Sequence, residues 1–184
     1  MTIHTNSGLK LYMESAIAAA KTISGITKAA PGVISSTAHG FANGDNVLLE
    51  IQGMVELHGY LCKVVSTATD TFQVADVNGT TGIDTTLFST FTSGTAKKVT
   101  LGISITGVQD FNFAGGEIKV QDTTTVNDTQ DTQIVVGATA QSADMTMQWD
   151  PASSAQQAMI AAFKTRANKG FKVLWPDGAF TMWY

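Results

Sequence analysis

The sequence predicts a mainly β fold with one α-helix, organised as a host domain that carries a small inserted β module. Three observations carry this expectation. Short segments of alternating or β-branched composition recur along most of the chain. Turn formers punctuate them at Asn43-Gly44-Asp45, Asn78-Gly79, Gly115-Gly116 and Asp177-Gly178, residues that tolerate positive φ or close Asx turns. Only one segment has clear helical spacing between a start signal and a stop signal.

Taken in order, the expected strands are Leu9–Met13, Val33–Thr37, Asn46–Ile51, Tyr60–Ser66, Thr71–Ala75 and Lys97–Ile105. They continue with Glu117–Val120, Gln133–Val136, Ala143–Trp149, Phe171–Trp175 and Ala179–Tyr184. Phe111 and Phe113 alternate along a further extended segment and read as core or interface packing. Glu14–Lys21 reads either as a second helix, from its alanines, or as a strand edge. The clear helix follows Asp150-Pro151, with Asp150 as N-cap and Pro151 at the first helical position. Ser153 with Gln156 offers an alternative start as a capping box. Ala155, Met159, Ile160, Ala162 and Phe163 mark an apolar face expected to pack in the core, and Gly170 is the expected residue just past the helix end.

The division into domains rests on composition. Residues 24–96 form a run of short strands with closely spaced turns, whereas 1–23 and 97–184 hold the helix and the longer strands. Within the second part, Gln121–Gln133 contains one apolar residue, Val126, and cannot bury enough surface to fold by itself. Lying between two strands, it reads as a long hairpin arm, solvated in a monomer or ordered against a neighbour in an assembly.

Composition also narrows the function. Charged residues make up 14% of the 184, against roughly 25% in an average globular domain. Little charge with much Thr, Ser, Gly and Ala suggests a surface meant to be covered. The formal net charge of -4 argues against free nucleic-acid binding, which needs clustered Lys and Arg; the adjacent pair Lys97 and Lys98 reads as a solvated strand end. The lone Cys62 has no internal disulfide partner and reads as a small core residue. The N-terminal residues show neither a basic nor an apolar signal region, and Ala16–Ala20 is too short to cross a bilayer. Synthesis in the cytoplasm, with no membrane association, is the expectation.

No catalytic, cofactor-binding or metal-binding set emerges, so the expected protein is not an enzyme. His4, His39 and His58 are scattered, the latter two each before a glycine in a turn. Asp45 near His39 serves a turn more readily than a catalytic pair. Asp110, Glu117, Asp122, Asp128 and Asp131 are concentrated in one stretch, where they are either solvated carboxylates or a ring around a pore.

A resemblance joins these readings. From Gly107 to Gly178 the sequence has a strand and Gly-containing turn, the acidic/Thr strand Glu117–Thr124, the polar arm, the strand into Trp149-Asp150-Pro151, the helix, and a strand into Pro176-Asp177-Gly178. That order resembles the major tail tube proteins of long-tailed, siphovirus-type phages, with Leu9–Met13 as the first strand. The segment Thr37-Ala38-His39-Gly40-Phe41-Ala42-Asn43-Gly44-Asp45-Asn46-Val47 is similar to the opening of small β modules inserted in phage structural proteins, often labelled ubiquitin-activating-enzyme FCCH-like. Glu56-Leu57-His58-Gly59-Tyr60 and Thr71-Phe72-Gln73-Val74 fit the same pattern, with His58 in place of the usual Asn.

The resemblance implies a β-sandwich or open barrel with one flanking α-helix, plus an inserted small β-barrel-like module. It implies a virion tail protein that partners itself in stacked, hexameric rings and carries phage DNA through its lumen during ejection. Tape measure, tail terminator and tip proteins are the further implied partners. Asp122, Thr123, Thr124, Thr125, Val126, Asn127, Asp128, Thr129, Gln130 and Asp131 would form the contact arm between rings, and Asp110, Glu117 and Asp122 would face the lumen. The family continues with further strands beyond the Asp177-Gly178 hairpin, whereas this sequence ends at Tyr184. Alternatives from other classes are a tail terminator or joining ring, or a monomeric glycan-binding module with Trp183 and Tyr184 as a stacking platform.

Overall fold

The computed structural model describes residues 8–75, 81–114, 117–122, 133–138 and 142–184. Its strands are β1 (Lys10–Met13), β2 (Ala16–Ile17), β3 (Lys21–Ile23), β4 (Gly25–Ile26), β5 (Ile34–Ser35), β6 (Asn46–Gln52), β7 (Leu61–Thr67) and β8 (Thr71–Ala75). They continue as β9 (Ser93–Thr100), β10 (Ile103–Ile105), β11 (Val108–Ala114), β12 (Ile118–Asp122), β13 (Gln133–Ala138), β14 (Ser142–Met147), β15 (Phe171–Leu174) and β16 (Phe180–Trp183). One α-helix, α1 (Ser154–Thr165), and one 3-10 turn, Val55–Leu57, complete the described elements. The fold is mainly β, as the sequence predicts. It divides into two compact units, one running to Thr106 and resuming from Asp150 to Tyr184, the other Gly107–Trp149.

The first unit holds two antiparallel sheets. The larger has the order β2-β9-β6-β7-β8-β5-β4, with β3 also on β9; the smaller has the order β10-β1-β15-β16. Strand β6 shows why they form one unit. Successive strand residues point to opposite faces, and here Val47, Leu49 and Ile51 enter one core while Leu48 enters another. The first core gathers these with Ile34, Phe41, Met54, Leu57, Cys62, Val64, Phe72 and Val74. The second joins Leu48 and Leu61 of the large sheet to Val99 and to Met182 of β16.

Glu14 adds a polar tie within this unit. Its carboxylate is 2% exposed and accepts from Lys169 Nζ at 2.9 Å and Gly170 N at 3.2 Å, fastening the end of β1 to the segment entering β15.

Glu14–Lys21 resolves as a strand edge. Ala16 and Ile17 pair with Thr100 and Val99, and Ala18 N donates to Lys98 O at 2.8 Å. The ladder on β9 outweighs the modest helix preference of four alanines. The expected strand Lys97–Ile105 divides into β9 and β10, because the chain leaves the large sheet at Leu101-Gly102 and joins β1 of the small one.

Helix α1 starts at the alternative site. Ser153 is the N-cap, its hydroxyl accepting from Gln156 N at 3.5 Å, and the Gln156 side chain accepts from Asp150 N at 3.0 Å. The Asp150 carboxylate is committed to Ala152 N at 2.9 Å, which makes a turn ahead of the helix. The helix end also differs from expectation. Arg166, not Gly170, takes the left-handed conformation, at φ 51°. Arg166 N donates to Phe163 O and Ala167 N to Ala162 O, the pair of bonds that defines a Schellman motif. The apolar face is only partly core: Ala155 is buried, but Ile160 is 37% and Phe163 84% exposed.

The second unit is a two-stranded antiparallel ribbon. Strand β11 pairs β14, and β12 pairs β13. The first ladder ends at Ala114↔Ser142 and the second begins at Ile118↔Ala138. Each ladder contains one register shift, at Val108/Asp110 and at Lys119/Val120, and such bulges add local twist.

Candidate interaction surfaces

The groups capable of chemistry are mostly committed to structure. His39 is 3% exposed; its Nδ1 accepts from Phe41 N at 3.0 Å, which leaves Nε2 to donate to Ala68 O and Thr71 O. Its ring packs against Phe41 and Phe72 at centroid distances of 5.3 and 5.1 Å. Asp45 is bonded elsewhere, to Ala42 N at 2.9 Å and Lys98 at 2.7 Å, so the two do not form a pair. His58 Nδ1 accepts from Ile51 N at 3.1 Å. Burial pushes the Cys62 thiol far above its ordinary range, which leaves it unreactive. Lys97 and Lys98 lie within β9 and pair with Glu50 and Asp45, each at 2.7 Å, rather than forming a loose strand end. Among the described residues, no three His, Cys, Asp or Glu side chains gather to hold a metal ion. Among the described residues, no helix is long and apolar enough to cross a membrane.

The surface of interest is the ribbon. Asp110 lies on β11, Glu117 just before β12, and Asp122 ends β12 opposite Gln133; all three are exposed. Asp110 Oδ1 accepts from the next backbone N–H, Phe111 N, at 2.9 Å. The rest of the expected contact arm, Thr123–Asp131, lies outside the described residues, as does His4. Phe111 is buried, while Val120 is 54% exposed. On β14, Ser142, Ala143, Asp144 and Thr146 are exposed, and Met145 and Met147 are half-buried. In this unit every described strand has one ladder partner, so one long edge of each carries backbone N–H and C=O groups without a strand beside them.

A second surface was not legible as such in the sequence. The last turn of α1 presents Phe163 beside Lys164 and Arg166, with Ala162, Ala167 and Asn168 around a shallow concavity. The helical period identifies Phe163 as part of an apolar face but carries no information on what covers it. The aromatic C-terminal segment behaves differently. Trp183 stacks on Phe171 of the same sheet at 5.8 Å and 15°, and Tyr184 is 40% exposed, so the expected aromatic platform is partly occupied by the fold's own packing.

Comparison with known families finds a match. The family model described as Phage tail tube protein, TTP, matches residues 52–184. The match begins at the last residue of β6 and takes in the whole ribbon, α1 and the final hairpin. Among curated proteins, none matches.

Proposed function

We propose, on the premise that this chain belongs to the phage tail tube protein family, that it forms hexameric rings which stack into a conduit for DNA during ejection. Membership makes the protein a structural component of the virion tail that assembles with itself into a tube. The finer reading rests on one observation above all: among the described residues of Gly107–Trp149, the strands have open edges and largely exposed side chains. A two-stranded ribbon is marginally stable alone. Strand edges left open in a subunit are completed by the strands of its neighbours, and closure into a barrel removes them altogether.

Charge supports the assignment of this ribbon to the lumen. Residues 107–149 contain six acidic residues and one lysine. Glu117 and Asp122 facing the channel would repel phosphate, so that a duplex slides rather than binds. Thr123–Asp131 would reach the next ring, its Thr and Gln residues adding to a neighbouring strand. The lumen would hold a tape measure protein before DNA passes, and terminator and tip proteins would close the ends. Residues 24–96 form, in this reading, an FCCH-like module inserted into a host domain of residues 1–23 and 97–184. No step calls for a catalytic group.

Electron microscopy of the concentrated protein tests this directly. Tubes with six-fold cross-sections are expected, and deletion of Thr123–Asp131 should abolish stacking while circular dichroism of the monomer stays unchanged. A chain that remains monomeric under every assembly condition would refute the reading.

A further inference from the structure

We infer that the exposed end of helix α1, built on Phe163, Lys164 and Arg166, is a docking ridge for the acidic ribbon of a second copy of this chain. The inference rests on the tube reading and names one contact within it.

Three observations converge there. Phe163 is 84% exposed, the most exposed of the described phenylalanines. A large apolar ring held in water on a rigid helix is the usual anchor of an interface rather than of a fold. Second, the charges are segregated. Residues 151–175 contain Lys164, Arg166, Lys169 and Lys172 and no acidic residue, whereas 107–149 holds six acidic residues against one lysine. Lys169 is taken by Glu14 and Lys172 lies over the Phe180 ring, which leaves Lys164 and Arg166 as the cations flanking Phe163. Third, Arg166 occupies a backbone position that favours glycine. At φ 51° in a Schellman motif, a side chain is a conformational cost to the helix end. Strain of this kind collects where a side chain has another use, and here that side chain is a cation beside the exposed ring.

One copy's ribbon offers the complement. Asp110 and Asp144 are exposed on one face of its paired strands β11 and β14, where Thr146 and Asn112 are their cross-strand neighbours. A ridge on one subunit meeting a different patch on the next is a heterologous contact, the kind that closes rings or extends filaments.

The test uses the full chain and its tube-forming threshold, measured by sedimentation and microscopy. Phe163→Ser should leave the monomer's Tm unchanged and raise the threshold at least about tenfold, the equivalent of ~1.4 kcal/mol. Lys164→Glu with Arg166→Glu should abolish tubes, and adding Asp110→Lys with Asp144→Lys should restore them. Arg166→Gly separates the two roles: relief of the left-handed strain raises the monomer's Tm by about 2 °C, while the threshold rises. Wild-type tubes with variant thresholds equal to wild type would overturn this contact alone. Absence of wild-type tubes would overturn the tube reading and the contact with it.

Discussion

The large sheet and the ribbon are built from the same kind of residues and end in opposite conditions. Strands β6 and β7 are covered on both faces, their polar groups paired and their side chains divided between two cores. Strands β11 to β14 are paired on one edge only, and their described side chains are mostly exposed. The first region is a finished fold; the second has the conformation of a sheet without the neighbours that complete one. In the proposed tube assembly, the first region makes the subunit and the second helps to make the polymer.

That separation can be broken experimentally. Phe72→Ala, in the first core, should cost about 3–5 kcal/mol of unfolding free energy, visible in urea denaturation, and should remove tubes by removing the fold. If the variant lost tubes while keeping wild-type stability, the division of labour would fail. His39→Leu should cost roughly 2 kcal/mol, because Phe41 N, Ala68 O and Thr71 O lose a buried partner at once.

A smaller effect concerns acid. Asp45 is held below its ordinary range: burial would raise it, but the Ala42 N–H and Lys98 outweigh that. Glu50 is lowered chiefly by its hydrogen bond from Lys97. Carboxyls lowered on folding contribute stability that is full above their unfolded values, near about 4, and is lost as pH falls through the folded ones. Thermal melts should therefore fall below about pH 4, and Asp45→Asn with Glu50→Gln should flatten that limb. The smallest change in stability belongs to the ribbon. Glu117→Gln and Asp122→Asn together should move the monomer's unfolding free energy by no more than about 0.5 kcal/mol. The same double variant should make assembled tubes bind DNA at low salt.

Much of the first region was legible because its residues have local reasons to be where they are. In the segment Thr37–Val47, His39 and Phe41 go to the core, Gly40 and Gly44 take φ of 69° and 94°, and Asp45 closes its turn on Ala42 N. Those roles need particular residue types at fixed spacing, so the pattern survives in the sequence. Strands β2, β3 and β4 are two or three residues long, too short for any period to register. The helix end was misplaced because Gly170 carries the usual signal and Arg166 does not. The pairing of β11 with β14 has no local signature, since it joins residues far apart in the chain. Phe163 shows the same limit, as periodicity records that a face is apolar and not whether the covering partner belongs to the same chain.

Leucines 48 and 61 bear on how such a protein can change over time. Both lie inside the segment read as an insertion, yet they supply half of the four buried residues in the core shared with Val99 and Met182. A module seated in this way is not a pendant that can be exchanged at its two chain crossings. A replacement would have to arrive with its own pair of apolar residues facing Met182, or the host would be left with a hole under β16. Grafts that preserve Leu48 and Leu61 should therefore be tolerated where excisions of residues 25–96 are not, and lineages that swap this module should be constrained at those two positions before any on its outer surface.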